Sequence, residues 1–253
     1  MSTGFKSGDS SSGDSSSNDS SSNDSYSAIV PAAGIGKRFG GAVPKQYLPL
    51  HGATVIEHSL RLLLSVERLQ RIIVVVHRDD HRWRDLTVFS DPRIDTAIGG
   101  DERCHSVLNG LQHLQQKYGS SEWVLVHDVA RPCCLRSDIE KLINQLQQHP
   151  VGGILAVAAS DTIKRVDAAR QIEETVDRAW LWQAQTPQLF RTRLLLDALN
   201  HCIGMDMTVT DEAQAIEALG WQAQVVEGAR SNIKITRPED LALAEFFLQR
   251  QQP

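Results

Sequence analysis

The stretch IVPAAGIGKRFGGAVPKQYLPL, residues 29–50, begins with an apolar run that is typical of a buried strand. It continues into a loop rich in glycine and in basic residues, among them Lys37, Arg38 and Lys45. Glycine lets a backbone approach a bound group closely, and basic side chains neutralise phosphate charge. The stretch therefore predicts a strand followed by a loop that holds a polyanion such as a nucleoside triphosphate.

The glycine spacing of this loop differs from two familiar phosphate-binding motifs. The dinucleotide fingerprint requires GxGxxG, whereas Gly34, Gly36 and Gly40 follow the pattern GxGxxxG. The phosphate loop of NTPases requires GxxxxGK followed by serine or threonine, and the sequence contains no such run. A solvated surface loop therefore remains an alternative until other segments are considered.

Short apolar or β-branched runs alternate with longer segments of 3.6-residue periodicity from Tyr26 onward. The runs cover residues 28–33, 71–76, 123–127, 152–159 and 222–227. Such alternation predicts βαβ units, and hence an α/β fold with a mostly parallel sheet. Ligands of these sheets bind at the carboxyl ends of the strands. We therefore expect the site among the loops that follow residues 33, 98, 127, 159 and 231.

Residues 160–186 interrupt this alternation. They show no helical stripe, alternate weakly and carry Lys164, Arg165, Arg170 and Arg178. The pattern predicts a protruding two-stranded arm. Because a lone hairpin is only marginally stable in water, we expect the arm to pack on a second subunit.

The composition excludes several functional classes. The 253 residues carry a formal net charge of -5 and are 41% hydrophobic, which is enough for a core and disfavours a nucleic-acid binder that works through a general basic surface. The four cysteines form no CxxC pair, so neither a zinc site nor a disulfide framework is predicted. No run of 18 apolar residues occurs, so we expect no transmembrane helix and no membrane partner.

Residues 1–26 consist mainly of Ser, Asp, Asn and Gly, and they differ in this from residues 27–253. A segment so poor in apolar side chains cannot offset its ordering entropy, which predicts a disordered tail ahead of one folded domain. The tail lacks the apolar core of a secretory signal and the Arg-rich, acid-poor composition of a transit peptide. We therefore expect a cytoplasmic protein.

Two further loops strengthen the prediction of a nucleotide site. GGDERCHS, residues 99–106, places two glycines and small polar side chains ahead of a helix with an apolar stripe. VHDVARP, residues 126–132, ends a buried strand with Asp128. Because Mg²⁺ binds one or two carboxylates together with phosphate oxygens and water, Asp128 is a candidate Mg²⁺ ligand.

Nine motifs lie along the chain in the order PAAGIGKRF, PKQY, GGDER, VHDVARP, DTIKR, TVDR, TPQLF, TDEA and NIKITRPEDLALAE. In type and order they resemble those of the 2-C-methyl-D-erythritol 4-phosphate cytidylyltransferases of the non-mevalonate isoprenoid pathway. The resemblance covers residues 27 to about 250. It implies a Rossmann-like nucleotidyltransferase fold with helices on both faces of the sheet, and a homodimer in which the arms are exchanged.

The resemblance also implies roles for individual residues. Stabilisation of the charged transition state would be the task of Arg38, Lys45 and Lys234. The residues that would enclose the cytidine nucleotide are Ala32, Ala33, Gly34, Gly36, Gly100, Asp101 and Ser106. The residue that would hold Mg²⁺ is Asp128, and those that would receive the methylerythritol phosphate are Arg131, Thr162, Arg178 and Thr186.

The implied reaction transfers the cytidylyl group of CTP to 2-C-methyl-D-erythritol 4-phosphate and releases pyrophosphate. A phosphate oxygen of the acceptor is the nucleophile. Because the second pKa of a phosphate monoester is about 6, this oxygen is already charged at pH 7 and needs no general base. The motifs accordingly supply cations and a metal ligand rather than a Ser, His and Asp set.

Three other functions remain compatible with the sequence. The nearest is a cytidylyltransferase for another polyol phosphate such as ribitol 5-phosphate, which shares the glycine-rich loop and PKQ. A nicotinamide-dependent oxidoreductase is disfavoured by the glycine spacing and by the second strand, which ends in VVVHRDD with its acids only at Asp79 and Asp80. A non-enzymatic nucleotide-binding domain is the third.

Overall fold

A seven-stranded sheet organises the computed structural model, which describes residues 25–34 and 43–251. The strands are β1 (Tyr26–Pro31), β2 (Pro49–Leu50), β3 (Ala53–Thr54), β4 (Leu69–Val76), β5 (Ile94–Ile98), β6 (Trp123–Val126), β7 (Gly152–Ala158), β8 (Ile163–Val166), β9 (Ile172–Val176), β10 (Trp182–Arg191) and β11 (Gln224–Glu227). The order in the sheet is β11-β7-β10-β6-β1-β4-β5, and β10 runs antiparallel to both of its neighbours. The other neighbouring strands are parallel, so the predicted mostly parallel sheet is confirmed.

The helices cover both faces of this sheet, as the resemblance implied. They are α1 (Val55–Leu64), α2 (Arg103–Tyr118), α3 (Arg136–Leu146), α4 (Thr192–Gly204), α5 (Glu212–Ala218) and α6 (Asp240–Gln251). Ala28 and Val30 of β1 lie in one hydrophobic cluster with α1 and α3, whereas Ile29 lies in a second cluster with α2, α4 and α5. Successive side chains of a strand point to opposite faces, so β1 is mostly apolar because both faces are buried.

Two strands of the main sheet had no counterpart among the predicted apolar runs. The edge strand β5 contains Asp95 and Thr96, which are only partly buried. β10 contains Pro187, which has no N–H to donate, and the register of β10 with β7 shifts between Ala184 and Gln188 around this proline. Polar residues therefore kept β5 from appearing as an apolar run, although a strand end at residue 98 was expected, and the proline concealed β10.

The predicted arm is shorter than residues 160–186. β8 and β9 form a separate antiparallel hairpin in which Ile163 pairs with Val176. β10 begins at Trp182, which pairs with Ala158 of β7, so the last residues of the predicted arm belong to the main sheet. The hairpin is present, whereas its protrusion and its contact with a second subunit stay predictions.

Among the described residues, no helix has both the length and the apolar character needed to cross a membrane. The cysteines are free thiols, and all of them are buried. Burial raises the pKa of Cys133 to about 12, so this thiol stays protonated at neutral pH.

Candidate active site

The loops that follow β1 and β5 meet at the carboxyl end of the sheet. Gly99 lies between them, because a Cβ placed on it would be 2.5 Å from Ala33 Cβ and 2.8 Å from Ser106 Oγ. Ser106 Oγ accepts a hydrogen bond from the Gly100 N–H at 3.2 Å. The structure thus brings together Ala33, Gly100 and Ser106, three of the residues predicted to enclose the nucleotide.

The other residues predicted around the cytidine differ in exposure. Ala32, which directly follows β1, is buried, whereas Gly34 and Asp101 are exposed. Gly36 and Arg38 lie outside the described residues, so the predictions for them rest on the sequence.

Lys45 stands on a short 3-10 turn, Lys45–Tyr47, that is fixed to the loop after β1. Gln46 Nε2 donates a hydrogen bond to the Ala32 carbonyl at 3.0 Å. Lys45 Nζ donates to the Ile235 carbonyl at 3.0 Å, across 190 residues of sequence. This contact places Lys45 beside the segment that carries Lys234.

Asp128 follows β6 and collects basic side chains from three segments. Its Oδ2 lies 2.7 Å from Lys234 Nζ and 3.9 Å from Arg131 Nε, and its Oδ1 accepts a hydrogen bond from Arg103 Nε at 3.0 Å. Burial raises the pKa of Asp128, but Arg103 and Lys234 outweigh it and hold that pKa well below its usual range. Asp128 is therefore ionised at neutral pH.

Arg103 links Asp128 to a second buried acid that the sequence did not single out. Its Nη1 and Nη2 donate to the two carboxylate oxygens of Glu212 at 2.6 Å and 3.0 Å. Glu212 is 1% exposed. Burial raises the pKa of Glu212, and the bidentate arginine counteracts that rise. Glu212, Arg103 and Asp128 form a chain of alternating charge that ends at Lys234, in which both acids are buried and Arg103 is partly exposed.

Thr186 lies behind Asp128 and is 4% exposed. Its Oγ1 accepts a hydrogen bond from the Asp128 backbone N–H at 3.0 Å and lies 3.2 Å from His127 Nδ1. Burial lowers the pKa of His127 to about 4, so the ring is neutral at pH 7. Its Nε2 faces the Arg131 carbonyl at 3.2 Å and must donate there, so Nδ1 accepts the Thr186 hydroxyl proton.

A cavity of about 340 Å³ opens next to this cluster. The residues that line it include Arg131, Lys234, Asn232, Ser160 and Gln185. Arg131 Nη1 donates to the Asn232 carbonyl at 2.7 Å, while Arg131 Nε and Asn232 Oδ1 have no hydrogen-bond partner among the described residues. A cavity bordered by three cationic side chains, those of Arg131, Arg230 and Lys234, suits a small phosphorylated molecule.

Thr162 and Arg178, which were predicted to receive the acceptor, flank the hairpin of β8 and β9 and are exposed. The Arg178 guanidinium donates a hydrogen bond to the carbonyl of Ser160, a residue that lines the cavity. Arg178 therefore contacts a residue of the cavity of its own chain but does not itself line that cavity. Among the described hydrogen bonds, none joins Thr162 to the Asp128 cluster.

Asp128 was also predicted to hold Mg²⁺. Among residues 25–34 and 43–251, no three His, Cys, Asp or Glu side chains are grouped so that they could hold a metal ion by themselves. Mg²⁺ commonly takes one or two carboxylates and draws its other ligands from substrate phosphates and water. A single ionised Asp128 fits an ion that arrives with a triphosphate and does not fit an all-protein metal site.

Comparison with known proteins matches residues 26–250 to the family described as IspD, 2-C-methyl-D-erythritol 4-phosphate cytidylyltransferase. The chain belongs to this family. It is 51% identical over 224 residues to the 2-C-methyl-D-erythritol 4-phosphate cytidylyltransferase of Pseudomonas putida (strain F1), covering 88% of this chain and 94% of the relative. It is 47% identical over 225 residues to that of Vibrio vulnificus (strain YJ016), covering 89% and 95%. The chain is therefore a nucleotidyltransferase of the IspD family.

Solved structures of IspD proteins share the fold. A 4-diphosphocytidyl-2C-methyl-D-erythritol synthase superposes with a TM-score of 0.76 at 36% identity, over 89% of this chain and 99% of that chain. The Francisella tularensis 2-C-methyl-D-erythritol 4-phosphate cytidylyltransferase gives a TM-score of 0.75 at 34% identity, over 88% and 99%. Family membership and fold together disfavour the oxidoreductase and the non-enzymatic alternatives.

Sequence reasoning overlooked three residues of the cluster: Arg103, Glu212 and Asn232. Each lies inside a motif that carried the resemblance, respectively GGDER, TDEA and NIKIT. Their partners are 25 to 109 residues away, so no local spacing revealed the contacts. The motifs themselves were the signal that could have directed attention to these side chains.

Proposed function

We propose that this IspD chain transfers the cytidylyl group of CTP to 2-C-methyl-D-erythritol 4-phosphate, giving 4-diphosphocytidyl-2-C-methyl-D-erythritol and pyrophosphate. The observation that carries the proposal is the meeting of Lys45, Lys234 and Asp128 beside a cavity that Arg131 also lines. Two polyanions must meet for this reaction, and this arrangement supplies fixed cations where they would do so.

In the proposed reaction, a phosphate oxygen of the acceptor attacks the α-phosphorus of CTP. A bond forms between that oxygen and the α-phosphorus, and the bond to the oxygen that bridges the α- and β-phosphates breaks. The electron pair leaves with pyrophosphate. The acceptor phosphate is largely dianionic at pH 7, so no side chain has to remove a proton.

Charge stabilisation is the main task that remains for the protein. Lys45 and Lys234 would neutralise the charge that gathers on the α-phosphoryl oxygens, together with Arg38 from the loop after β1. Arg131, which is fixed to the Asn232 carbonyl, would bind the acceptor phosphate in the cavity. Because Lys45, Lys234 and Arg131 are held before the substrates arrive, little reorganisation of these side chains is needed during the reaction.

Asp128 would hold the Mg²⁺ that accompanies the triphosphate. When bound, the ion would offset phosphate charge and orient the nucleotide. Asp128 also holds the Lys234 ammonium at 2.7 Å, so the carboxylate has a second function that does not require the ion.

We also propose a cytoplasmic homodimer in which the hairpin of one chain reaches the cavity of the other, with Thr162 and Arg178 contacting the acceptor. The exposed apolar side chains around the hairpin support this proposal, because Trp180 is 86% and Ile172 66% exposed. Thr186 was predicted to contact the acceptor, but its hydrogen bond with the Asp128 N–H favours a role in holding Asp128.

The test of the function is an acceptor screen. Purified protein is supplied with CTP, Mg²⁺ and one acceptor at a time, and pyrophosphate release is measured. We expect fastest turnover with 2-C-methyl-D-erythritol 4-phosphate and none after the divalent cation is removed with a chelator. Equal or faster turnover with ribitol 5-phosphate would assign the chain to another polyol phosphate.

The test of the exchanged arms is a mixing experiment. Lys45→Ala and Arg178→Ala proteins should each be nearly inactive alone. After verified subunit exchange, about half of the dimers are mixed and contain one intact site, so about a quarter of wild-type activity should return. Absence of recovery would show that Arg178 serves its own chain.

A further inference from the structure

Glu212 is a buried acid to which the proposed reaction assigns no task. It opens α5, and both of its carboxylate oxygens bind Arg103. The start of α5 is itself fixed to β10, since Gln188 donates to Asp211 Oδ2 at 3.0 Å and accepts from the Ala213 N–H at 2.9 Å. Glu212 is therefore a rigid support rather than a mobile side chain.

Arg103 transmits this support to Asp128. Its Nη2 lies 3.0 Å from an oxygen of Glu212 and also 3.0 Å from Asp128 Oδ1. Together with the Nε contact, this makes Oδ1 the oxygen of Asp128 that is bound by arginine. The second oxygen, Oδ2, lies 2.7 Å from Lys234 Nζ, with Arg131 Nε further away at 3.9 Å. A planar guanidinium held on both sides thus fixes the rotation of the Asp128 carboxylate.

The charges of the cluster show what the loss of Glu212 would change. With Glu212 present, the charge of Arg103 is shared between two acids, and Asp128 keeps negative charge for Lys234. Without it, Arg103, whose side chain is 26% exposed, has Asp128 as its remaining acidic partner in the cluster. A largely covered cation that loses one of its two acidic partners is costly, so Arg103 would draw the whole carboxylate toward itself and away from Lys234.

We propose that Glu212 is a positioning residue that acts through Arg103 to fix the carboxylate of Asp128 and, through it, the ammonium of Lys234. The proposal rests on the proposed function for its effect on turnover, but its geometric content is independent of the substrate. Small displacements of preorganised charged groups reduce rates strongly, so the effect should appear in kcat.

The first experiment is a double-mutant cycle of kcat with Glu212→Gln, Arg103→Gln and the combined variant. Glu212→Gln should lower kcat by about 10- to 100-fold, the range seen for residues that orient a site through a neighbour, and should change the KM for CTP less than about threefold. The combined variant should be no slower than Arg103→Gln alone, because Glu212 has no other route to the site. Multiplying effects would overturn the proposal.

Glu217→Gln is the matched control, because Glu217 is an exposed acid on the same helix, and its kcat should equal that of wild type. If Glu212→Gln does not fold, Glu212→Asp keeps the charge but shortens the reach to Arg103. That variant should fold and still lose kcat at nearly constant KM. Wild-type kcat in a folded Glu212→Asp protein would contradict the proposal.

Crystal structures of wild type and of the folded Glu212 variant give a readout that does not depend on turnover. We expect Lys234 Nζ and Asp128 Oδ2 to separate beyond hydrogen-bond distance in the variant. If the wild-type protein shows no turnover, the proposed function fails while this comparison still decides the positioning role. An unchanged contact at 2.7 Å would overturn the positioning role, whatever the activity.

Discussion

Asp95 lies in strand β5 and Asp128 follows strand β6 of the same sheet. Both carboxylates are surrounded by hydrogen-bond donors and basic side chains, but they lie at different places along the strands. Asp95 Oδ2 accepts hydrogen bonds from His113 at 2.6 Å, Lys117 at 2.8 Å and Tyr118 at 3.0 Å. Burial raises the pKa of Asp95, but His113 and Lys117 outweigh it, so that pKa, like that of Asp128, lies well below its usual range. A depressed pKa alone therefore does not distinguish a site from a structural ion pair.

The difference lies in where the partners come from and what they face. Asp95 stands near the amino end of β5, and its three partners all belong to α2, so they fasten one helix to one strand. Asp128 follows the carboxyl end of β6, and Arg103 and Lys234 reach it from segments that are distant in sequence. Lys234 and the nearby Arg131 also border a cavity. The comparison teaches that convergence of distant segments at the carboxyl edge marks the site.

The largest expected effect is a difference in kcat between variants of the two aspartates. Asp128→Asn should lower kcat by roughly 10²-fold or more, because it removes the counter-charge that holds Lys234 and the carboxylate proposed for Mg²⁺. Asp95→Asn should leave kcat within about twofold, because its partners do not reach the cavity. Steady-state kinetics of both variants measure the contrast, and a similar loss in both would show that the distinction between them is false.

A smaller effect tests how the backbone of Asp128 is held. Thr186→Val removes the hydroxyl that accepts the Asp128 N–H but keeps the shape of the side chain, so kcat should fall by about tenfold. Thr186→Ser keeps the hydroxyl and should retain most of the activity. The KM for the acceptor should change little in either variant. A rise in that KM without loss of kcat would instead indicate direct contact between Thr186 and the acceptor.

The smallest effect concerns stability and belongs to Asp95. A carboxylate whose folded pKa is depressed stabilises the protein above its unfolded pKa, and that stability is lost as the pH falls toward the folded pKa. Asp95→Asn should therefore lower Tm at pH 7 by a few degrees at most, since pairs this exposed contribute about 1 kcal/mol or less. The difference in Tm from wild type should shrink below about pH 4. A difference that grows in acid would contradict this assignment.

Much of the fold was predictable because burial on both faces makes the central strands nearly continuous apolar runs. β1, β4 and β6 follow that rule, so their sequences were sufficient. β10 does not follow the rule, because its stability depends on pairing between β6 and β7. Its proline is tolerated only where the register shifts. Tertiary pairing of this kind leaves no local period in the sequence.

The site was predictable in part for a related reason. Asp128 and Arg131 lie just after β6, and the end of that apolar strand can be read from its sequence. The salt bridge between Arg103 and Glu212 spans 109 residues, so only the folded chain reveals which acid the arginine binds. The motifs indicated that both segments mattered, whereas the geometry explains how they act together.

The central claim is that a phosphate oxygen of the acceptor attacks the α-phosphorus of CTP beside Asp128. The most direct measurement supplies 2-C-methyl-D-erythritol 4-phosphate whose phosphate oxygens carry ¹⁸O, with unlabelled CTP and Mg²⁺, and follows both products by mass spectrometry. All of the label should remain in 4-diphosphocytidyl-2-C-methyl-D-erythritol, and the pyrophosphate should be unlabelled. Label in the pyrophosphate, or absence of the cytidylylated product, would contradict this claim.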